Sequence, residues 1–169
     1  MLNPAIDRTG WPEQMLHEPD KVQWIDEHTG MDCLAVRHHS GHNWCGYVGV
    51  PPEHPDHGKD YDSVDVEVHG GLTFADSCQH REDGLGICHV PEDGRPDNVW
   101  WLGFDCAHSG DLCPGHSKHF PAWPGDRYRT LKYVQRECKD LALQLSQRPM
   151  RATPERTTPC SGDDSEPRV

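Results

Sequence analysis

The chain has 169 residues, of which 34% are hydrophobic, and a formal net charge of −12 at pH 7. That charge argues against general binding to a phosphate backbone, which needs a positive surface, and no apolar run approaches the ~20 residues that span a bilayer. Glycine and proline are abundant, at 16 and 15 positions, so loops are extensive, while 6 Trp and 4 Tyr supply the area for a core.

The N-terminal stretch MLNPAIDRTGWPEQ has neither the basic start nor the apolar segment of a secretory leader, which points to a cytoplasmic location. In that compartment the 8 cysteines are expected as reduced thiols, buried or metal-bound. Residues 1–19 show no periodicity and read as an irregular lead. KVQWI (21–25) and CLAVRHH (33–39) flank a Thr-Gly turn and form a hairpin, and NWCGYVGV (43–50) is a third strand ended by Pro51 and Pro52. PEHPDHGKDYD (52–62) is a polar loop.

SVDVEVH (63–69) alternates perfectly, with Val64, Val66 and Val68 on one side and Asp65, Glu67 and His69 on the other. Gly70-Gly71 marks a bend, LTF resumes an extended path, and LGICHVP (85–91) is a short strand. VWWLGFD (99–105) is apolar on both faces and suits a central strand. The aperiodic stretch 106–125 is long enough to suggest a functional loop. A helix follows, with Asp126 as candidate N-cap and an apolar stripe of Leu131, Val134, Cys138, Leu141 and Leu145. Its other face is basic, through Arg127, Arg129, Lys132, Arg136 and Lys139, in an otherwise acidic chain. Residues 148–169 hold too little apolar surface to fold and read as a disordered tail. The expectation is an α+β fold: one domain over 20–147, a twisted antiparallel sheet of five to six strands with one C-terminal amphipathic helix and long loops.

Chemistry gathers at two strand ends. Asp65, Glu67 and His69 share a face, and Asp105, His108 and Asp111 follow the strand 99–105, where Gly103 leaves room. Carboxylates and imidazoles brought together repel unless a cation or proton intervenes. Oxygen with imidazole favours a borderline divalent ion such as zinc or manganese. The expectation is therefore a metal held by His69, Asp105, His108 and Asp111, with Glu67 or Asp65 as general base. Two other arrangements use overlapping residues. Cys106, His108, Cys113, His116 and His119 offer ligands for a closed zinc site, although the two-knuckle spacing of such sites is absent. Cys106 beside His108 also permits a nucleophilic thiol. Trp123, between prolines in the loop, is a candidate ligand contact.

The segments WCGYVGVPPEHPDHGKDYDSVDVEVHGGLTF, GICHVP and DNVWWLGFDCAHSGD, with the helix from YR to LALQL, resemble a family of small proteins from tailed-phage genomes and actinobacterial prophages. The resemblance covers roughly residues 20–145 and implies a phage or prophage context and expression in the host cytoplasm, but no activity. His54, His69, Asp105, Cys106, His108 and Asp111 lie inside the shared motifs, whereas Cys113, His116 and His119 lie outside them. Two functions remain open at this stage. One is a metal-dependent hydrolase of a nucleotide or other small phosphorylated compound; the other is a non-enzymatic accessory protein that binds a host protein or sequesters a small ligand.

Overall fold

The structure, a computed structural model, describes residues 2–4, 6–116 and 122–150. Five strands form one open antiparallel sheet: β1 (Lys21–Ile25), β2 (Asp32–Arg37), β3 (Trp44–Val50), β4 (Phe74–Asp76) and β5 (Trp100–Asp105), in the spatial order β1-β2-β3-β5-β4. A single turn, α1 (Glu13–Leu16), precedes the sheet, and the long helix α2 (Leu131–Ser146) closes the fold. This is the α+β architecture that the alternation and the single helical stripe imply. The strands of the first hairpin, β3 and β5 fall within two residues of their expected limits.

β3 and β2 are buried along their whole length because both faces of the sheet are covered. One face packs Cys33, Ala35, Val48, Leu102 and Phe104 against Val134, Cys138, Leu141, Ala142 and Leu145 of α2. Gly46 makes that approach possible, since a Cβ there would strike the Phe104 ring and Cys138 Sγ. The opposite face buries Leu34, Val36, Cys45, Tyr47 and Trp101 beneath Ile6, Trp11 and Met15, so the N-terminal lead supplies core residues as well as one helical turn.

Three local expectations are corrected. Residues 63–69 are not a strand: after a 3-10 turn at Tyr61–Ser63 the chain runs extended along α2, outside the sheet. Its polar backbone groups bond to helix side chains, Glu67 N donating to Gln144 Oε1 (2.8 Å) and Gln144 Nε2 donating to Glu67 O (2.7 Å). Residues 85–91 contribute only the isolated bridge Gln79–Ile87. The N-cap of α2 is Thr130, which accepts from Tyr133 N, whereas Asp126 accepts from Trp123 N and closes the preceding turn.

At its C-terminal end α2 is fastened by His54. The imidazole is fully buried, Nδ1 accepts from Asp56 N (3.1 Å), and Nε2 therefore carries the proton donated to Leu145 O (3.0 Å). Asp56 meanwhile pairs with Arg148 and Lys59. The 51–62 loop is thereby tied to the helix end.

Arg37, at the end of β2, is 1% exposed. Its guanidinium pairs with Glu18 (2.8 Å) and approaches Asp20 Oδ1 (3.1 Å), donates to His42 O (2.9 Å), and lies over the rings of Trp44 and Trp11. Removing one partner of such a cluster leaves buried charge uncompensated. Arg37→Met is expected to lower unfolding stability by about 3–5 kcal/mol, read from chemical denaturation; a loss below about 1 kcal/mol would show that the cluster is solvated in the folded state.

Candidate metal centre

Asp111 lies at the centre of the site. It follows β5 in a turn closed by Asp111 N donating to His108 O (2.9 Å), and a bridge to Arg127 holds it beside the chain entering α2. Its side chain is 1% exposed. Oδ1 accepts from Arg129 Nε (2.7 Å), while Oδ2 accepts from the His108 amide (3.0 Å) and lies 2.7 Å from His69 Nε2. Burial alone would raise the Asp111 carboxyl, but the hydrogen bonds from Arg129, His69 and the His108 amide outweigh it and hold the group below its ordinary value.

His69 comes from the extended segment along α2. Its amide donates to Glu137 Oε2 (3.1 Å), and its Nδ1 lies 3.0 Å from the Tyr133 hydroxyl. Tyr133 and Glu137 are four residues apart and share one helix face. Arg129 and Arg136 each lie 5.0 Å from the centre of the Tyr133 ring, so two residues of the basic surface stack on the site's tyrosine. Burial is the largest influence on the Tyr133 phenol and, with the Glu137 charge, raises it; the hydroxyl stays protonated near neutrality.

His108 completes the cluster. Its ring meets His69 edge to face at 5.5 Å, and its Nδ1 lies 3.7 Å from Asp105 Oδ1 and 3.8 Å from Asp111 Oδ2. Those separations exceed a hydrogen bond, and Nδ1 is a buried atom with no hydrogen-bond partner among the described residues. Gly70 sits directly over the ring at φ +67°, where a Cβ would collide with the imidazole. Glycine is needed here for both its backbone conformation and its missing side chain.

His69, His108 and Asp111 thus offer three ligand atoms within 4.8 Å of one another. Asp105 stands at the margin of that group, facing His108. It also lines a cleft of about 370 Å³ on the sheet face away from α2, with His38, Tyr47, Phe74, Arg81 and Ile87. Asp65 and Glu67 do not join the cluster. Both are exposed, and the segment's backbone there is held by Gln144 and Arg148, towards the C-terminal end of α2. The space beside Gly103 holds the Tyr47 ring rather than converging carboxylates.

The thiol alternatives separate from this site. Cys106 is 1% exposed, and burial, its largest influence, drives the thiol far up, which removes the thiolate a nucleophile needs. Cys113 Sγ turns to Cys106 O (3.8 Å), and its thiol is raised to about 11 by burial. Among the described residues, Cys106, Cys113 and His116 enter no group of close ligand atoms; His119 lies outside the described residues. Cys33, Cys45, Cys106, Cys113 and Cys138 are free thiols, whereas Cys78 and Cys88 form a disulfide, a departure from the expected reduced set. Trp123 is 80% exposed.

Sequence reasoning missed Arg129 and Tyr133. In the sequence Arg129 reads as part of a basic helix surface, and the signal for Tyr133 is only its helical phase relative to Glu137. Comparison of the chain with family models, curated proteins and solved structures finds no match. No helix among the described residues is long and apolar enough to cross a membrane.

Gly70→Ala is expected to cost about 1–2 kcal/mol from the left-handed backbone alone and to move the His108 ring. The measurements are thermal unfolding and the His108 ring resonances. A variant with unchanged stability and unchanged His108 signals would mean that the two groups are not in contact.

Proposed function

We propose that the protein is a metal-dependent hydrolase of a nucleotide or other small phosphorylated compound, with a zinc or manganese ion held by His69, His108 and Asp111. One observation carries the reading. A buried ring nitrogen of His108 faces two carboxylate oxygens at 3.7 and 3.8 Å with no hydrogen bond to either. A buried imidazole nitrogen that faces two anionic oxygens without a hydrogen bond to either is satisfied by a cation lying between them. Three protein ligands of mixed imidazole and carboxylate type also match catalytic zinc sites, which leave a position for water.

The surrounding groups suit a metal site. The Tyr133 hydroxyl both donates and accepts, so it satisfies His69 Nδ1 whether that nitrogen carries a proton or not. His69 can therefore release Nε2 from Asp111 to an ion without stranding its other nitrogen, the usual outer support of a ligating histidine. Arg129 holds the second oxygen of Asp111 and fixes the carboxylate plane. A divalent ion here would act as a Lewis acid and lower the pKa of its water. Asp105, between His108 and the cleft, would take the proton of that water in place of the exposed Asp65 or Glu67. The cleft brings Arg81, His38 and His39 to its wall, a lining suited to a small anionic substrate. The phage or prophage setting remains part of this proposal, with action in the host cytoplasm.

His108→Ala is the cleanest test, because the orphaned Nδ1 has no hydrogen bond to lose. Elemental analysis after equilibration with zinc or manganese is expected to find one ion per wild-type chain at this site. His108→Ala is expected to lose it with an unchanged melting temperature. Tyr133→Phe is expected to weaken the ion's affinity roughly 10- to 100-fold. Phosphate release from a nucleotide and phosphomonoester panel should follow ion occupancy. A wild-type protein that stays fully stable and takes up no ion under these conditions refutes the reading. Ion uptake with no turnover across the panel would leave ligand sequestration as the function.

A further inference from the structure

Cys78, His80 and Cys88 form a second close group, on the side arm that follows β4 and apart from His69, His108 and Asp111. The Gln79–Ile87 bridge holds the two limbs of that arm together, with Cys78 and Cys88 beside it and 4.8 Å between their Cα atoms. Cys88 is buried, Cys78 half-buried and His80 exposed. His80 Nε2 points back at Cys78 Sγ at 3.4 Å. Against the disulfide the imidazole finds only a weak sulfur acceptor. The placement does suit a metal: with zinc–sulfur near 2.3 Å and zinc–nitrogen near 2.0–2.1 Å, a tetrahedral ion sets its sulfur and nitrogen ligands about 3.5 Å apart.

We propose that the 78–88 arm is a redox-gated zinc site, closed as a disulfide when oxidised and binding one zinc ion through Cys78, His80 and Cys88 when reduced. A dithiol reductant supplies two electrons and two protons, breaking the sulfur–sulfur bond to give two thiols while the reductant becomes a disulfide. Zinc binding then displaces both thiol protons to solvent and forms two zinc–sulfur bonds and one zinc–nitrogen bond. The fourth position opens on the His80 side, where the arm meets solvent, and is left to water or an outside ligand. The arm is also a wall of the cleft, through Gln79, Arg81, Leu85 and Ile87, so the redox state of the two sulfurs sets the shape of one side of the cleft.

The other described cysteines do not compete. Burial raises Cys33 and Cys45 to about 12 and Cys138 well above its ordinary value, and these thiols are free where Cys78 and Cys88 are bonded. The test is zinc content of the full chain, equilibrated with zinc and desalted, with and without prior treatment by an excess of dithiol under argon. The reduced protein is expected to hold one more zinc than the oxidised protein, and Cys78→Ser/Cys88→Ser is expected to remove the difference. His80→Ala should weaken the additional ion at least 10-fold. Cobalt substitution gives a readout independent of fold stability. The reduced protein should show a thiolate-to-cobalt charge-transfer band that a nitrogen-and-oxygen site cannot produce. Equal zinc in both redox states, or an extra ion and a charge-transfer band that survive Cys78→Ser/Cys88→Ser, overturns the proposal. Because the readout is a difference between redox states, it stands whether or not His69, His108 and Asp111 bind their own ion.

Discussion

The fold depends on the satisfaction of one buried cation. Arg37 lies where the N-terminal lead, the end of β2, the start of β3 and the entry to α2 converge, and its charge is balanced from the lead by Glu18 and Asp20. Glu18 does more than pair: the same carboxylate accepts from Trp44 Nε1, the Tyr128 hydroxyl and the amide of Leu131, the first residue of the helix. An anion at a helix N-terminus satisfies free amides and opposes the helix dipole. Asp20 in turn collects Arg8 and the Asn3 amide. One network therefore fixes where the lead crosses the sheet and where α2 begins, and an ion cluster this dry tolerates no half-measure in its pairing.

The position of α2 then determines the site. Arg129 and Tyr133 flank the start of the helix that Glu18 anchors, and Glu137 follows one turn later. β5 delivers Asp105 and the turn holding His108 and Asp111, and β5 is central because β3 and β4 pair with it on either side. The third contributor, His69, arrives from a segment that belongs to neither layer. Three stretches that are distant in sequence meet at one carboxylate, and two hydrogen-bonded cations or imidazoles keep that carboxylate ionised in a buried place.

The sheet and the helix were legible in the sequence because alternation and a 3.6-residue stripe report directly on burial. The segment 63–69 shows where that signal stops. Its alternation is real, since Val64, Val66 and Val68 all pack against the core, yet alternation records only that an extended chain has a wet side and a dry side. It does not say whether the backbone bonds to a strand or, as here, to glutamine and glutamate side chains of a helix. His69 still lies beside Asp111, because the segment's C-terminal end reaches the turn that follows β5. Asp65 and Glu67 face solvent, away from that turn. The spacing of Cys78 and Cys88 carries no sign of the bridge that brings their limbs together, and Arg129 has the same sequence signature as a solvated surface charge.

The way segment 63–69 is attached has its own consequence. Among the described residues it has no ladder of backbone pairs: Val64, Val66 and Val68 pack against the core, and its backbone is held by Glu137 and Gln144 of the helix and by Arg148 just beyond the helix end. The polar contacts are worth about 0.5–1.5 kcal/mol each in water, and at the His69 end, beyond the last of the three valines, they are what holds the chain to the helix. His69 can thus leave Asp111 through a local opening that spares the rest of the molecule. The cluster's assembly is governed by a small equilibrium of its own, and any ligand that bridges His69 to Asp111 would draw its ordering cost from that equilibrium and not from the stability of the fold.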